Sequence, residues 1–395
     1  MPVNEETPSL DNLCQKFNNA FVNISSNFSP LDHCPNSPSI HVPDELLVSS
    51  NEVFCDLSHI KSRSAIGPDG IPNRVLKDFA FELAPVLAVI YNSSMKQGIF
   101  PEQLKASIAI PLPKCHPPKE INSDLRPISL TNQVAKIMEG FTLKRLSDDL
   151  LPMLDQFQFA GFDLVDHSVL LSELNCFGVN PVLQNWVSAF LYKRSQCVRI
   201  GSSNSEYRYL IGGIPQGMKL GPLLFAVLVN SLINSWHYRV KFVDDLTSLE
   251  IIPRNSPSLT PFLVNEVNQY ASTRHMRLNP KKCKEMRICF LKYRSPIGGQ
   301  LLIGGHQVDL VKHFKLLGVY MSDDLSWNKH VGYITKKGFK RLYILRQLKI
   351  AGISDKDLAL IYISLIRSVL EYAAPVWASY RSTYLMISNP FNEGH

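Results

Sequence analysis

Two adjacent carboxylates, Asp244 and Asp245, follow the short apolar stretch at Val240–Phe242 and Val243. Neighbouring side chains on a strand point to opposite faces, so both acids can approach one site only if the chain turns tightly there. A close carboxylate pair repels itself unless a cation neutralises it, and hard oxygen donors of this type suit Mg²⁺, with Mn²⁺ as the alternative. Starting thirty-one residues before Asp244, the run Gly213-Ile214-Pro215-Gln216-Gly217-Met218-Lys219-Leu220-Gly221-Pro222 makes a loop of exposed backbone ahead of an apolar helix. Small residues there let a flat ligand, such as a base pair, lie against the main chain. A third feature lies between Leu325 and Ser354, where Lys329, Lys336, Lys337, Lys340, Arg341, Arg346 and Lys349 stand without a single acid. Such a run suits a phosphate backbone, whose contacts are independent of sequence and sensitive to salt. Each feature alone has an ordinary reading: an Asp-Asp turn, a strand-to-helix loop, a solvated helix face. The glycine-proline loop and the acid pair at this distance are hard to obtain together by chance.

The elements that must position these groups read as an α/β chain. A helix is expected from Phe79 to Met95 with Leu83, Val86, Leu87 and Ile90 on its core face, and a strand at Ser107–Leu112. Further strands are expected at Gln196–Ile200, Tyr207–Gly212, Val240–Phe242 and Met286–Phe290, and a buried helix at Pro222–Leu232. Ser354 and Asp357 have the spacing of a capping box that opens a helix with Leu358, Tyr362, Leu365 and Val369 on one stripe. The Asn-, Ser- and Pro-rich residues 1–57 read as a loosely ordered leader, with one short helix through Leu13, Phe17 and Phe21. At 395 residues the chain is long enough for two or three packed units, and its longest apolar runs are too short to span a membrane. Eight cysteines without a CxxC pair read as reduced thiols of an intracellular protein. Residues 1–60 carry eight acids and one base, which leaves residues 61–395 at a net +14, a balance that suits a polyanion.

Eight blocks in order carry a resemblance. They are Gly67-Pro68-Asp69-Gly70-Ile71-Pro72, Ile110-Pro111-Leu112-Pro113-Lys114, Leu125-Arg126-Pro127-Ile128-Ser129-Leu130, the Gly213–Pro222 loop, Phe242-Val243-Asp244-Asp245, Leu278-Asn279-Pro280-Lys281-Lys282-Cys283-Lys284, Phe314-Lys315-Leu316-Leu317-Gly318-Val319, and Leu370-Glu371-Tyr372-Ala373-Ala374-Pro375-Val376-Trp377. Over about residues 58–380 the chain resembles the reverse transcriptases of non-LTR retrotransposons, of the jockey-like or LINE-like kind. The resemblance implies a right-hand polymerase fold. Residues 58–160 would form the fingers and start of the palm, 161–318 the palm, 319–380 a helical thumb and 381–395 a tail, with the reverse transcriptase domain over about 95–320. It implies that Asp244 and Asp245 hold catalytic Mg²⁺, two ions in the intact family, and that Lys114 and Arg126 grip an incoming deoxynucleoside triphosphate. Gln216 and Gly217 would floor the templating pair, and Phe162 would screen the sugar's 2′ position. Lys282 would aid the departing phosphates, while Lys336, Lys337, Lys340, Arg341 and Arg346 would rest on the duplex of RNA template and DNA primer. No membrane partner is implied. The family usually carries an endonuclease ahead of the polymerase, and residues 1–57 are too short for one, so integration would need a separate protein.

The match breaks at the family's first palm motif, whose leading Asp is a metal ligand. Gly161-Phe162-Asp163-Leu164-Val165-Asp166-His167 matches the motif's tail, but Phe157 stands six residues before Asp163. Gln156-Phe157-Gln158-Phe159 resembles a block that the family places several dozen residues upstream. The strand bearing the Asp is therefore missing, catalysis is expected to be crippled, and an exposed sheet edge is expected in the palm. Phe157–Phe159 offers a surrogate edge, and Asp155 is a substitute ligand only if it is drawn away from its own block. Asp166 and His167 are expected to cap the following helix. A nucleic-acid-binding remnant, a protein scaffold and a functionless relic are the readings from other classes.

Overall fold

The structure, a computed structural model, describes residues 9–31, 41–159, 165–276, 278–290 and 299–378. Phe162 and the tail from 381 lie outside the described residues. Two compact units divide the chain, one of Met1–Ile251 with Glu266–Arg277 and the other of Ile252–Asn265 with Leu278–His395. Residues 278–318, expected with the palm, thus group with the thumb-like segment. Among the described residues no helix is long and apolar enough to cross a membrane.

The first unit mixes helices and sheet. Its helices are α1 (Leu10–Asn23), α2 (Ser50–Ser58), α3 (Asn73–Asp78), α4 (Ala80–Gln97), the short α5 (Ile121–Asp124), α6 (Gln133–Leu150), α7 (His167–Cys176), α8 (Pro181–Leu191) and α9 (Gly221–Val229). A large core joins α2, α4, α6, α7, α8 and α9, with Tyr91, Phe100, Trp186 and Phe190 among its fully buried aromatics. The helix expected from Phe79 forms as α4, but its core face differs. Ala80, Ala84, Ala88, Tyr91 and Met95 are buried, whereas Val86 and Ile90 face outward. Small side chains allow close helix approach, so the alanine stripe takes the inner face in place of the bulkier aliphatic one.

One sheet runs β2 (Leu125–Thr131), β1 (Ala106–Pro113), β4 (Ser195–Ile200), with β5 (Ser203–Asn204) and β6 (Arg208–Tyr209) both on the free edge of β4. β1 pairs antiparallel with β2 and parallel with β4. The strand expected at Tyr207–Gly212 shortens to β6 because the chain leaves the ladder: Leu210 N–H still reaches Arg194 O, and Gly213 N–H already reaches Val165 O. Where β5 gives way to β6, Asn18 of α1 supplies the missing partner, its amide donating to Glu206 O at 2.8 Å. Phe21 packs with Ala109, Leu125 and Val198 on the same sheet. The segment expected as a loose leader is therefore, over residues 9–31 and 41–57, part of the packed unit.

The second sheet is β3 (Gln158–Phe159), β7 (Arg239–Phe242) and β8 (Asp245–Ser248). β3 runs parallel to β7, and Lys241 N–H donates to Phe157 O at 2.9 Å. The edge of β7 expected to lie open is thus covered over this stretch, by the surrogate segment. Asp155, just before β3, fixes the arrangement. Its carboxylate, 2% exposed, accepts from Arg239 Nε at 2.9 Å and Nη2 at 3.1 Å and pairs with Lys241 Nζ at 3.0 Å. Lys241 also donates to Val229 O, Asn230 O and Asn234 Oδ1.

After α10 (Thr260–Thr273), whose residues are divided between the units, the second unit carries β9 (Lys284–Glu285), β10 (Leu302–Ile303), β11 (His306–Gln307), β12 (Asp309–Leu310), β13 (His313–Leu316) and β14 (Val319–Ser322), then α11 (Asn328–Ile350) and α12 (Asp355–Ile361). The strand expected at Met286–Phe290 lies earlier, at β9, which pairs parallel with β12, while Phe290 is exposed. Ser354 caps α12, its Oγ accepting from Asp357 N–H at 3.2 Å. The expected stripe slips, because a π-helical turn at Tyr362–Arg367 inserts extra residues per turn and buries Ile366 and Leu370 instead of Leu365 and Val369. Tyr372 Oη donates to Leu317 O at 2.7 Å, which joins two of the motif blocks.

Burial pushes the Asp155 carboxyl up, but hydrogen bonds from Arg239, Lys241 and the Phe157 N–H outweigh it and hold the group below the ordinary carboxylate range. Asp155→Asn is expected to destabilise the first unit by about 3–5 kcal/mol, the order for removing one partner of a buried pair. The ion pair's contribution is complete above the unfolded value near pH 4 and lost as pH falls through the depressed folded value. Urea unfolding of both proteins should therefore show a stability gap at pH 7 that narrows on acidification, and a gap independent of pH would refute the assignment.

Candidate active site

The two acids sit at a hairpin. Phe242 pairs with Asp245, so the connection has two residues, Val243 and Asp244, and Val243 adopts a φ of 58°. Two-residue hairpin turns need positive φ, which a β-branched residue adopts only at a cost. This is the tight turn the adjacent carboxylates require. Both acids are exposed. Arg239 and Lys241 share one face of β7 and are tied to Asp155, while Val240 and Phe242 occupy the other and remain partly exposed.

The Gly213–Pro222 loop docks elsewhere, on β2. Ser129 N–H donates to Gln216 O at 2.8 Å, and Ile128 bridges Gln216 in parallel. Gly217 has a φ of 118°, and a Cβ there would meet Ser129 O at 2.9 Å, so only glycine fits so close to the strand. Beyond it, Glu139 of α6 grips the loop: its Oε2 accepts from Lys219 N–H at 2.8 Å and Leu220 N–H at 3.4 Å. Glu139 is fully buried, and burial raises its carboxyl against the opposing charge of Arg194 and these two amides. Arg194 is pushed down to about 10 by burial, partly offset by Glu139. Sequence reading passed over Glu139, although an acid set among Ile137, Met138 and Phe141 is the signal that finds it.

Lys114 and Arg126 lie at one end of the β1–β2 hairpin, where Pro113 faces Leu125 and Leu112 faces Arg126. Lys114 Nζ donates to Ser123 O at 2.8 Å, and Arg126 is exposed. Hydrogen bonds from the Lys119 and Glu120 N–H groups and from Ser123 hold Asp124 down at about 2, which fixes the turn beside them. One sheet thus gathers Arg126, Gln216 and Gly217. α9 begins at this loop, and Lys241 binds carbonyls at the end of α9, so one helix connects the loop to the strand that leads to Asp244.

Asp166 caps α7, accepting from Ser168 and Val169 N–H groups, and also pairs with His275 at 2.8 Å; His167 is buried against Gly213 O. Lys282 is exposed on a turn of the second unit. On α11, Lys336, Lys337 and Lys340 share a face with Lys329 and Tyr333 by helical spacing. Arg341, half-buried, donates to Leu365 O, and Arg346 is exposed on a different side.

Residues 158–321 match the family model described as reverse transcriptase (RNA-dependent DNA polymerase). Similar proteins include a probable RNA-directed DNA polymerase from transposon BS of Drosophila melanogaster, 23% identical over 82% of this chain and 42% of that protein. The RNA-directed DNA polymerase from mobile element jockey of the same species is 24% identical over 78% and 40%, and the Pol polyprotein from type-1 retrotransposable element R1 of Bradysia coprophila 22% over 83% and 37%. Residues 158–321 thus match the reverse transcriptase family, and over most of its length the chain is similar to RNA-directed DNA polymerases of transposons and mobile elements. It spans about two fifths of the length of these curated relatives. The family match opens at β3 and takes in both the docked loop and the acid hairpin.

Mg²⁺ takes one or two carboxylates and completes its shell with water or phosphate oxygens, so Asp244 and Asp245 fit one such ion. Among the described residues no three His, Cys, Asp or Glu side chains gather to divide two ions, and Asp155 is held by Arg239 and Lys241.

Gly217→Ala is expected to expel the loop from β2 and cost more than about 1 kcal/mol, since the native φ is positive. Hydrogen exchange at the Ser129 amide reports it directly: protection should fall in the variant, and unchanged protection would show that the loop does not depend on Gly217.

Proposed function

We propose that the chain descends from an RNA-directed DNA polymerase that adds deoxynucleotides to a DNA primer on an RNA template, and that its own catalysis is crippled. The observation that carries this reading is the two-residue turn that brings Asp244 and Asp245 to one hairpin end. Asp244 and Asp245 would hold Mg²⁺ or Mn²⁺; in the two-ion scheme one ion would activate the primer hydroxyl and the other would steady the leaving pyrophosphate. In this reading Arg126 binds phosphate oxygens of the incoming triphosphate in pairs, Lys114 and Lys282 act as point charges, and Phe162 screens the sugar. Gln216 and Gly217 support the templating pair, and the glycine leaves the backbone open beneath it. Residues 58–318 serve as fingers and palm, and α11 as the thumb helix, with Lys336, Lys337 and Lys340 toward the duplex. The bond of Arg341 to Leu365 O favours leaving it out of that contact.

A second reading, a nucleic-acid-binding remnant without catalysis, is favoured by the acid count: two carboxylates at the turn and none joining them among the described residues. A loss of four decades in rate corresponds to about 5.5 kcal/mol of transition-state stabilisation, a fitting order for a missing ligand.

Primer extension on an RNA template is expected to be very weak with Mg²⁺ or Mn²⁺ and to vanish in Asp244→Asn. Extension at an ordinary polymerase rate that vanished in an Asp155→Ala variant with unchanged urea unfolding would overturn the assignment of Asp155 as a structural anchor. Binding to RNA–DNA hybrid should fall steeply with salt, and joint charge reversal at Lys336, Lys337 and Lys340 should weaken it for all sequences alike and flatten the salt slope. Fluorescence anisotropy across a salt series measures both, and an unchanged slope would remove α11 from the interface.

A further inference from the structure

The inner face of α4 packs on α2, α3 and α8, while on its outer side Phe81, Val86, Val89 and Ile90 are 77%, 56%, 65% and 38% exposed. Phe54 of α2, also exposed, meets Phe81 edge to face at a centroid separation of 6.4 Å and extends the patch. Single exposed aliphatics are ordinary on a surface, but these adjoin one another and together offer on the order of 500 Å², a size at which such patches are often functional.

The order of residues along this face points to the occupant. Glu82, Val86, Val89, Ser93 and Lys96 follow at alternating spacings of four and three, the pattern of a seam between two helices packed side by side. Glu82 and Lys96 each stand seven residues from Val89, both are exposed, and among the described residues neither has an ion-pair partner. Each charge also suits its own helix end, so a single copy tolerates both. If a second copy of α4 runs antiparallel across a two-fold axis at Val89, Glu82 of each copy faces Lys96 of the other, and Val89 meets its own equivalent. Parallel helices would set like charge against like at both ends. The centre of the face carries no cation for a phosphate backbone, so it suits a protein surface and not a nucleic acid.

We propose that two copies of the chain associate through α4, antiparallel about Val89, with Glu82 and Lys96 pairing across both ends. The pair would bury about 1,000 Å², the threshold for a specific interface, so the dimer is reversible and depends on concentration. The proposal goes beyond the polymerase reading and does not rest on it, since none of these residues belongs to the acid hairpin or the glycine loop.

Sedimentation velocity of the nuclease-treated full chain across a concentration series tests it. A monomer–dimer equilibrium is expected. Val89→Lys, which sets two ammonium groups face to face at the axis, should raise the dissociation constant at least tenfold. Glu82→Lys and Lys96→Glu should each weaken self-association, whereas the two single variants mixed together, or both changes in one chain, should associate as the parent does. Because these positions are exposed, circular-dichroism melts of the variants should match that of the parent. The proposal is overturned if the chain stays monomeric up to about 100 μM, if Val89→Lys dimerises as the parent does, or if the mixed single variants associate no better than either alone. Two further results also overturn it: a monomer whose melting temperature falls on Val89→Lys, which would show that a segment of the same chain covers the face, and assembly seen only before nuclease treatment, which would assign it to nucleic acid.

Discussion

The buried ion network of Asp155 with Arg239 and Lys241 holds the acid hairpin in place. A hairpin usually anchors itself by burying alternate apolar side chains, yet Val240 and Phe242 stay partly exposed and the inward positions of β7 are charged. Desolvating such charges is costly, and here it is offset because Asp155 accepts from two cationic residues and Lys241 also meets two carbonyls and an amide oxygen. The network also explains why the short segment at Phe157–Phe159 serves as a strand beside β7. Lys241 N–H takes Phe157 O while its ammonium takes Asp155, so backbone and side chain of one residue select the same partner segment.

Parts of the fold that announce themselves locally were legible in the sequence. The strands β1, β4 and β7, the apolar α9 after its glycine-proline loop, and the Ser354 cap all depend on neighbours in the chain. Asp155 was not legible as an anchor, because its partners lie 84 and 86 residues away and nothing beside it signals them. The inner face of α4 escaped for a different reason: an alanine stripe has little hydrophobic contrast, and its value lies in how closely another helix can approach. At the far end, a π-helical turn changed the register, so that correctly identified apolar residues gave the wrong buried set.

The candidate site shows the same division. The acid pair and the need for a tight turn followed from residue types alone, and so did the helix cap at Asp166. The attachment of the glycine loop to β2 did not, since a backbone bridge between Ile128 and Gln216 leaves no trace in side-chain pattern. Nor did the bond of Arg341 to Leu365 O, which ties up one cation in a run of exposed lysines. Net charge indicates the kind of partner, whereas helical phase selects which cations can meet it.

The two-residue connection between β7 and β8 has a consequence for which sequence changes this hairpin tolerates. Along a strand, a shift of one position exchanges the two faces. With a connection this short there is no slack to absorb an added or lost residue, so a single-codon insertion beside Val243 would invert β8 or force the turn open. Substitutions elsewhere can therefore leave this geometry intact, whereas one small insertion at the turn removes it in a single step.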